Sequence, residues 1–513
     1  MTAKALPARR RTPLLALALD RGSETSLQQQ LYDQLRAVIL AGGLAPGARL
    51  PSSRALAGEL GCSRNTVVSA FDQLLSEGYL EGHAGSGTFV SRVLPEDLLG
   101  IAPAAPRSKA REAAPAPPPL SSRGAALIQL RRLQQGRERA FQPGLPETDE
   151  FPFDVWARLH SRIWRHPSGE LLRLGAPAGL RVLREAIARY LATFRGLACD
   201  WRQVIITAGA QQALDLVIQL LLEPRDKVWI EEPGYPGLRG PLIAAGAEPV
   251  PVPLDSEGMV VAEGRRRAAA ARAAIVTPTH HYPLGTALSL ARRLELLDWA
   301  RDSGAWILED DYDSEYRYAG RPLASLLSLA ASRAAGRVEG ARVIYIGSFS
   351  KVLFPSIRVG YLVVPENLVD PISAAQGALG VQPTAVIQPL LAAFIEEGHF
   401  ATHVRRMRRL YATRQAALVA AAGRHLGDFL DVAPDDAGLH LMGWLKPDIA
   451  VRLGDRGAAQ AAAAAGIAVA PLSDYFISDE PARQGLLLGY AAVPEDDIER
   501  GAKRLAEALR QAI

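Results

Sequence analysis

The spacing of apolar residues divides this chain into four parts. From residue 21 to residue 92, apolar side chains recur at helical intervals, and in the C-terminal part short apolar runs alternate with amphipathic stretches. Between these regions, residues 93–135 are rich in proline and alanine and follow neither period. The pattern predicts a basic, flexible tail over residues 1–20, a small domain over residues 21–92, a linker over residues 93–135 and a large domain over residues 136–513.

The small domain has the pattern of three helices and a hairpin. Leu27 to Leu40 is apolar at helical spacing, Ser52 or Ser53 caps a second helix that ends before Gly61, and Ser63 caps a third. Two short strands then surround a glycine-rich tip in the segment YLEGHAGSGTFV. This order of elements is typical of a winged helix-turn-helix, in which the polar start of the third helix reads base edges.

A small helical domain that binds protein would fit the same topology. The charge of residues 21–92 does not decide between the two partners, because six arginines are balanced by six acidic residues. Only an asymmetric placement of Arg54 and Arg64 would give this domain a surface that faces phosphate. DNA is the partner that the topology favours.

In the large domain, apolar strand-like runs alternate with helical segments. The strand-like runs are QVIITAG, KVWIEEPGY, AAIVTP, AWILEDD and VIYIGSFSK, and helical spacing is found in AQQALDLVIQLLLEP and ARRLELLDWARDSG. This alternation predicts an α/β fold with a mostly parallel sheet. Such sheets bind ligands at the carboxyl ends of their strands, where the chemically distinctive residues of this chain follow.

The composition argues against a membrane protein and against a disulfide-stabilised protein. Hydrophobic residues make up 48 % of the chain, no apolar run is long enough to span a membrane, and the basic N-terminus lacks the apolar core of a signal peptide. We therefore expect a cytoplasmic protein. Cys62 and Cys199 are too few for a disulfide framework and have no metal-ligand spacing, so no metal is expected. The net charge of +4 argues neither for nor against a nucleic acid partner.

One lysine stands out in a chain that otherwise uses arginine. Lysine and arginine together number 58, but only six of them are lysines, and only Lys351 follows a strand that is expected to be buried. An amine can lose its proton and attack a carbonyl, which a guanidinium cannot do. A solvated loop lysine is the alternative interpretation of this residue.

Four segments at predicted strand ends contain the candidate ligands. In TAGAQQ, Gly209 leads into a helix whose first N–H groups suit a phosphate, although a plain strand-to-helix turn looks the same. In EEPGYPGLR, Tyr235 follows a Pro-Gly turn and can lie flat on a ring. In AWILEDDYDSEYRY, Asp310 is either a helix cap or the partner of a buried cation. The fourth segment, GSFSKVLFPSIR, combines hydroxyl, amine and guanidinium groups: Ser348, Ser350, Lys351 and Arg358.

Phosphate, aromatic, carboxylate and amine ligands together match the needs of pyridoxal 5'-phosphate. A lysine forms a Schiff base with this cofactor, an aspartate keeps its pyridine nitrogen protonated, and serine and arginine side chains bind its phosphate. We therefore expect the large domain to bind pyridoxal 5'-phosphate as a Schiff base on Lys351.

The small domain resembles the GntR-type winged helix of bacterial transcription factors over its whole length. The segments LPSSR, SRNTV and GSGTFV are specific in combination and weak singly. The resemblance implies that this domain binds a double-stranded DNA operator. The residues that it places near DNA are Arg54, Ser63, Arg64, Asn65 and Thr66, with Gly85 and Gly87 at the wing tip.

The large domain resembles the fold-type I aminotransferases, and the order of the two domains is similar to that of the MocR/GabR regulators. The segments THHYPLG, EDDYDSEYRY and GSFSKVLFPSIR are very similar to motifs of that subfamily. The resemblance implies a Schiff base on Lys351, a pyridine contact from Asp310, a hydrogen bond from Tyr312 to the ring hydroxyl and stacking by Tyr235. It also implies a phosphate site, formed by Gly209, Ala210, Gln211, Ser348, Ser350 and Arg358.

Three positions depart from the aminotransferase pattern. Tyr282 stands where aminotransferases usually have an asparagine beside the ring hydroxyl, and Leu487 stands where they have an arginine that binds the substrate carboxylate. Gly237 stands where the GABA-responsive member of the subfamily has an arginine. GABA is therefore not the effector that we expect, although Arg239 and Arg483 are candidates to replace the missing arginine.

The resemblance suggests three functions. The first is a cytoplasmic homodimeric transcription factor, associated with the nucleoid when bound to DNA, that senses pyridoxal phosphate or an amine or amino-acid effector. The second is an active aminotransferase with an accessory DNA-binding module, and the third is a regulator whose large domain is only a dimerisation scaffold. Lys351, Asp310 and Arg358 argue against the third, and Leu487 and Gly237 argue against the second. We expect a regulator with at most a weak transaminase half-reaction.

Overall fold

The computed structural model describes residues 17–83, 87–95, 120–130, 140–173, 175–320, 323–333, 341–478 and 483–513. The chain forms two compact units, Met1–Pro118 and Pro119–Ile513.

The first unit contains the three expected helices. They are α1 (Leu27–Leu40), α2 (Ser53–Leu60) and α3 (Arg64–Ser76). Of the two serines considered for the cap of α2, Ser52 forms it, and Ser63 caps α3; each hydroxyl oxygen accepts a hydrogen bond from a backbone N–H of the first helical turn. Gly61 ends α2 in the left-handed conformation, with a φ of 62°. The sequence-based assignment of these helices is confirmed.

An antiparallel hairpin follows the helices of the first unit. It pairs β1 (Leu80–His83) with β2 (Gly87–Val90). The apolar faces of the three helices and the hairpin share one core, which includes Leu31, Leu35, Val67, Phe71 and Leu80. Gly87 begins β2 with a φ of 108°, whereas Gly85 of the predicted wing tip lies outside the described residues.

The second unit is built on an eight-stranded sheet. Its strands are β3 (Val204–Thr207), β4 (Lys227–Glu232), β5 (Glu248–Asp255), β6 (Gly258–Met259), β7 (Ala273–Val276), β8 (Trp306–Asp311), β9 (Val343–Ser348) and β10 (Gly360–Val363). They lie in the order β3-β10-β9-β8-β7-β4-β5-β6. The pairs from β9 through β8, β7 and β4 to β5 are parallel, and the pairs formed by β10 and β6 are antiparallel. The mostly parallel α/β fold is therefore confirmed.

Alternate residues of this sheet enter two different hydrophobic cores. On β4, the fully buried Trp229 belongs to one core, while Val228 and Ile230 belong to the other. On β7, Ala274 belongs to the same core as Trp229, and Ile275 belongs to the same core as Val228 and Ile230. Both faces of the sheet are thus covered, which explains why its strands read as continuous apolar runs.

The helices of the second unit pack around this sheet and continue to the C-terminus. They are α4 (Ser122–Leu130), α5 (Phe153–Arg165), α6 (Arg181–Arg195), α7 (Ala210–Leu221), α8 (Arg239–Ala245), α9 (Val261–Ala268), α10 (Leu290–Ser303), α11 (Leu326–Arg333), α12 (Glu366–Ala378), α13 (Gln388–Glu396), α14 (His399–His425), α15 (Pro447–Arg452), α16 (Gly454–Ala464) and α17 (Glu495–Ala512). None of the helices in the described ranges is long and apolar enough to cross a membrane.

A second, smaller sheet lies near the C-terminus and was not predicted from the sequence. It contains β11 (Leu430–Val432), β12 (His440–Leu445), β13 (Ala470–Pro471) and β14 (Gly485–Gly489), in the order β11-β12-β14-β13, and all its pairs are antiparallel. Its strands are only two to six residues long, so no regular alternation of apolar and polar residues indicates them in the sequence.

The predicted linker is too long at its C-terminal end. Residues Ser122–Leu130, within the predicted range 93–135, form α4. The side chains of Leu127 and Leu130 lie against Gly240 of α8, and the guanidinium of Arg123 donates a hydrogen bond of 3.1 Å to a backbone carbonyl near the end of the same helix. Because residue 240 is a glycine, the two leucines can pack closely against α8. The proline-rich sequence before α4 gives no sign of this helix.

The sheet places four of the expected ligand segments at one edge. Strands β3, β4, β8 and β9 all run in the same direction, because β10 is antiparallel to both β3 and β9. Gly360 of β10 pairs with Ser348 on one side and with Thr207 on the other. The residues that follow these strands therefore meet at the carboxyl edge, as expected for a ligand site in an α/β fold.

Candidate functional site

Lys351 lies shortly after the end of β9 and is half-buried. Its Nζ donates a hydrogen bond of 2.6 Å to the backbone carbonyl oxygen of Gly144. Burial lowers the pKa of Lys351 below its usual value, and the nearby carboxylates of Asp313 and Asp310 oppose this shift. A lowered pKa increases the fraction of neutral amine, which is the nucleophilic form.

Asp310 lies at the carboxyl end of β8, next to β9. The residue is 7 % exposed, and its Oδ1 has no hydrogen-bond partner among the described residues. Burial raises its pKa to about 7; Asp311 and Asp313 add to this shift, and Lys351 opposes it. An unpartnered oxygen in such a place is costly, so the position is suited to a protonated nitrogen of a ligand.

Tyr312 is positioned by a buried histidine. The Nδ1 of His280 lies 3.0 Å from the hydroxyl oxygen of Tyr312 and 2.8 Å from the Oδ2 of Asp313. Burial by itself lowers the pKa of His280, but Asp313 and Asp435 outweigh this effect and raise it to about 10. His280 therefore sets the position of the Tyr312 hydroxyl group.

The start of α7 and the loop after β9 form a small open cradle. Gly209 caps α7 with a φ of 102°, and a Cβ at this position would lie 3.5 Å from the guanidinium of Arg358. Any side chain at 209 would thus fill the space in front of this arginine. The Oγ of Ser348 accepts a hydrogen bond of 3.2 Å from the backbone N–H of Ser350, and the Oγ of Ser350 is buried without a partner in the described residues.

Gln211 binds Tyr235 through its side chain. The Tyr235 hydroxyl donates a hydrogen bond of 3.2 Å to the Gln211 Oε1, and the Gln211 Nε2 donates one of 2.8 Å to the carbonyl oxygen of Gly237. A Cβ at Gly237 would overlap the Tyr235 ring. The glycine is therefore required for this ring position. The backbone N–H groups of Gln211 and Ala210 at the start of α7 suit a phosphate.

An apolar surface adjoins the aromatic side chains of the site. The Tyr282 ring meets the rings of Tyr312 and Tyr235 edge-on, at centroid distances of 5.9 and 6.0 Å, and its hydroxyl lies 3.1 Å from that of Tyr475. Leu487 is fully buried in an apolar cluster against which Tyr282 packs. The other buried members of this cluster are Met442, Leu472 and Tyr475. The surroundings of Leu487, which the sequence predicts to stand in place of the carboxylate-binding arginine, are therefore apolar.

Both arginines considered as replacements have other partners. The guanidinium of Arg239 donates hydrogen bonds of 2.9 and 2.8 Å to the carbonyl oxygens of Asp474 and Phe476. It thereby fixes the segment that contains Tyr475. The guanidinium of Arg483 lies 4.4 Å from the centroid of the Trp444 ring, in a cation–π contact.

Glu231 is a buried acid at the end of β4. Its Oε2 accepts hydrogen bonds of 3.0 and 2.7 Å from the backbone N–H and the hydroxyl of Thr277, and it lies 3.6 Å from the Nε2 of His281. Burial raises the pKa of Glu231 to about 8, with a contribution from Asp310 and opposition from Thr277. Burial also lowers the pKa of His281 to about 3, so this imidazole is neutral.

We expect Glu231→Gln to remove a pH-dependent loss of stability. The folded-state pKa of Glu231, about 8, exceeds the ordinary value of 4.5, so the folded state binds the Glu231 proton more tightly than the unfolded state does. The contribution of this proton to the free energy of unfolding is fully present below pH 4.5 and is lost as the pH rises to about 8. Across this window, the free energy of unfolding of the wild type should fall relative to the variant by up to about 1.4 kcal/mol per pH unit. Denaturant titrations of both proteins without cofactor measure this difference, and parallel pH profiles would contradict it.

The residues expected to contact DNA surround the start of α3. Arg54, Arg64 and Asn65 are exposed, and the Arg64 Nε lies 3.5 Å from the Oγ of Ser53 at the start of α2. The Ser63 side chain caps α3 and lies 2.9 Å from the Thr66 hydroxyl, so its role is to fix the helix start. One exposed cation and one exposed amide thus lie at the polar start of α3, the element that enters the major groove in this class of domain, and Arg54 is exposed at the start of α2.

The sequence missed several residues that shape the large-domain site. His280 was part of a quoted motif without an assigned role, and Glu231 follows an apolar strand in the same way as Asp310. These two could have been found from their place at strand ends. Gly144 and Tyr475 approach the site from distant parts of the chain and have no local sequence signal.

The side chains at the carboxyl edge fit pyridoxal 5'-phosphate. The unpartnered Oδ1 of Asp310 suits a pyridine N–H, and the unpartnered Oγ of Ser350 suits a phosphate oxygen. The space between Gly209 and Arg358 would be filled by a Cβ and is open to a phosphate group. An amine of lowered pKa, Lys351, completes the set that this cofactor needs.

Comparison with known families assigns each unit to a different one. Residues 144–505 match the family "Aminotransferase class I and II", and residues 27–90 match the family "Bacterial regulatory proteins, gntR family".

Several full-length relatives and solved structures are similar to this chain. It is 42 % identical over 499 residues to the probable rhizopine catabolism regulatory protein MocR of Rhizobium meliloti, covering 96 % of both chains. It is 33 % identical over 500 residues to the HTH-type pyridoxine biosynthesis transcriptional regulator PdxR of Corynebacterium glutamicum, covering 96 % of this chain and 98 % of the relative. The kynurenine aminotransferase of Pyrococcus horikoshii matches with a TM-score of 0.65 and 25 % identity, covering 77 % of this chain and 95 % of that structure.

Proposed function

This chain belongs to the MocR/GabR subfamily of GntR-type transcriptional regulators, and we propose that it regulates transcription in response to pyridoxal 5'-phosphate or an amine. Its first unit has the fold and the exposed basic helix start of a DNA-binding domain. Its second unit has the fold of a family that uses pyridoxal phosphate. The single observation that most supports cofactor binding is the buried, unpartnered Oδ1 of Asp310 beside Lys351.

In this proposal, each side chain of the carboxyl edge has one task. Lys351 is the residue to which the cofactor is attached, Asp310 binds the pyridine nitrogen, Tyr312 donates to the ring hydroxyl and Tyr235 stacks on the ring. When bound, the cofactor supplies an electrophilic carbon with which amines can react. The phosphate is bound by backbone N–H groups and polar side chains of the cradle: Gly209, Ala210, Gln211, Ser348, Ser350 and Arg358.

A sensing role fits the site better than efficient transamination does. Transaminases need a cation that orients the substrate carboxylate, because proton transfer requires precise placement of the reacting carbon. Here the position expected for that cation is Leu487, which is fully buried among apolar side chains. Arg239 and Arg483 are engaged with backbone carbonyls and with Trp444. Turnover should therefore be slow or absent.

The apolar surface also indicates the chemistry of the effector. A carboxylate placed beside Tyr282 and Leu487 would be desolvated without a partner, whereas an apolar amine would bury its carbon atoms there. The effector is therefore an amine that lacks a carboxylate or binds weakly through it. The cofactor alone is the other possible signal.

The decisive experiment compares operator binding by three forms of the protein. Affinity for the region upstream of its own gene is measured with the apo protein, with the cofactor-loaded protein, and with loaded protein plus matched amines that differ only in a carboxylate. We expect the cofactor or an apolar amine to change the affinity, since a ligand shifts an equilibrium only through different affinities for its two states. Absorbance spectra of the same samples report whether the amine reacts.

Lys351→Ala is the control for this experiment. If the cofactor acts through this lysine, the variant should bind the operator but should not respond to amines as the wild type does. Equal operator affinity in all three forms of the wild type would contradict the sensing role, and the large domain would then be a scaffold. Rapid conversion of an amino acid to its keto acid would favour the enzyme instead.

The proposal includes a homodimer that acts in the cytoplasm. Fold-type I domains build their sites at a dimer interface, so two winged helices would read two half-sites of an operator. Linker length would then set the spacing of those half-sites.

A further inference from the structure

A cavity separate from the residues assigned to the cofactor lies beside α6. It has a volume of about 430 Å³ and is lined by residues of the C-terminal half of α6, the segment after β8 and the N-terminal half of α14. This volume lies within the range of small-molecule sites. None of the side chains assigned above to the cofactor lines it.

Much of the cavity wall is apolar. Tyr190 and Phe400 meet edge-on at a centroid distance of 5.1 Å, and Phe194 is 51 % exposed at the rim. Ala401 and Ala412 of α14 leave room where larger residues would close the cavity. The cavity is therefore shaped for a ligand with an apolar body.

Four polar atoms of the wall are buried without a hydrogen-bond partner in the described residues. They are the Nε of Arg195, the Oγ1 of Thr279, the Oγ of Ser314 and the Nε of Arg317. The first three residues are 8 %, 5 % and 5 % exposed. Unpartnered polar atoms are rare in folded interiors because each costs the desolvation of its group. These four atoms lie beneath the cavity surface rather than on it, because each atom is itself buried.

The charges of the wall favour an anion. Among the residues that the structure describes, five arginines and one carboxylate line the cavity: Arg195, Arg317, Arg405, Arg408, Arg409 and Glu315. Arg195 pairs with Asp311, and Arg317 lies 3.4 Å from Asp436. Within the described part of the chain, the three arginines on α14 form no ion pair; the Arg408 Nε donates to the backbone carbonyl of Glu315, and Arg405 donates to the Thr402 hydroxyl. Positive charge thus remains available at the rim.

We propose that this cavity binds a small organic anion with an apolar body, at a site separate from the cofactor site. The anionic group lies beside the α14 arginines, and the apolar body lies against the aromatic side chains.

The cavity shares its wall with the residues that position the cofactor ligands. Thr279 precedes His280, which lies 3.0 Å from the Tyr312 hydroxyl. Ser314 follows Asp313, the other partner of His280, and Arg195 binds Asp311, the neighbour of Asp310. An anion bound here would therefore alter the charges around Asp310 and His280, and the two sites should be coupled reciprocally.

Direct titration of the full chain with benzoate tests the site. Benzoate combines a carboxylate with an apolar ring, and benzamide and inorganic phosphate each lack one of these features. By calorimetry we expect benzoate to bind with a dissociation constant of about 1 mM or tighter, and both comparison compounds to bind at least about tenfold more weakly. Phosphate binding as tightly as benzoate, or no benzoate binding, would overturn the proposal.

Three variants of α14 locate the binding. Ala412→Phe fills the cavity and should weaken benzoate binding at least about tenfold, and Arg409→Ala should weaken it about three- to tenfold. Arg406→Ala is the matched control, because Arg406 is an exposed arginine of the same helix that pairs with Glu150 and does not line the cavity. Unchanged binding by Ala412→Phe and Arg409→Ala would overturn the proposal. A third result would also overturn the proposal: the wild type does not bind benzoate, and Ala412→Phe no longer self-associates. A second copy of the chain, rather than an organic anion, would then occupy the cavity.

Coupling is measured from the affinity of the apo protein for pyridoxal phosphate. We expect saturating benzoate to change this affinity by about fivefold or more in the wild type and not in Ala412→Phe. An unchanged affinity would contradict the shared-wall coupling of the two sites.

Discussion

Lys351→Ala should yield a folded protein that no longer attaches pyridoxal phosphate covalently. Lys351 is the only lysine among the described residues that lies beside Asp310, and its pKa is lowered by burial, so no other amine can replace it. Stability should change by no more than about 1 kcal/mol, because the substitution removes one hydrogen bond to Gly144 and one partly desolvated amine. Cofactor-loaded wild type should be yellow and the variant colourless after dialysis.

Reduction with borohydride followed by mass spectrometry makes this test specific. In the wild type, the mass of the reduced cofactor should appear on the peptide that contains Lys351. Lys446→Ala is the matched control, because Lys446 pairs with Asp431 at 2.5 Å on an exposed strand end and should not affect attachment. Labelling of another lysine in the wild type, or a wild type that takes up no cofactor, would show that Lys351 does not have this role.

Substitutions at the starts of α2 and α3 should separate DNA affinity from DNA specificity. Arg54 is exposed in the first turn of α2, and Asn65 is exposed in the first turn of α3. Arg54→Ala should weaken binding to all sequences alike and reduce the slope of log affinity against log salt by about 1, because one phosphate contact is lost. Asn65→Ala should cost about 1 to 3 kcal/mol at the operator and relax preference at one base position.

Salt titrations on an operator and on random DNA measure both effects. Arg92→Ala serves as the control, since Arg92 is exposed in the same domain but follows the end of β2. It should leave operator affinity within about twofold of the wild type. A domain that binds proteins would instead show no preference for the operator and no difference between the Asn65 and Arg92 variants.

The predictions from sequence were most accurate where local chemistry decides the structure. Ser63 and Gly61 delimit helices because a serine hydroxyl or a left-handed glycine satisfies groups at helix ends without help from distant residues. They were least accurate for α4, where the contact with Gly240 turned part of a proposed linker into a packed helix. A helix with two leucines on one side is stable only when another surface covers them.

The sequence by itself determined the winged helix, the alternation of strands and helices in the large domain and the segments that follow those strands, because periodicity and capping act over a few residues. The tertiary structure alone decided how those segments meet. The Lys351 amine donates a hydrogen bond to the backbone carbonyl of Gly144, 207 residues earlier in the chain. The hydroxyl of Tyr282 lies within hydrogen-bond distance of that of Tyr475, 193 residues later. It also raised the pKa of Asp310 to about 7 through burial and brought three α14 arginines to the wall of the cavity beside α6. Burial, charge proximity and cavity shape arise from side chains that are distant in the chain, so they exist only once the core has packed.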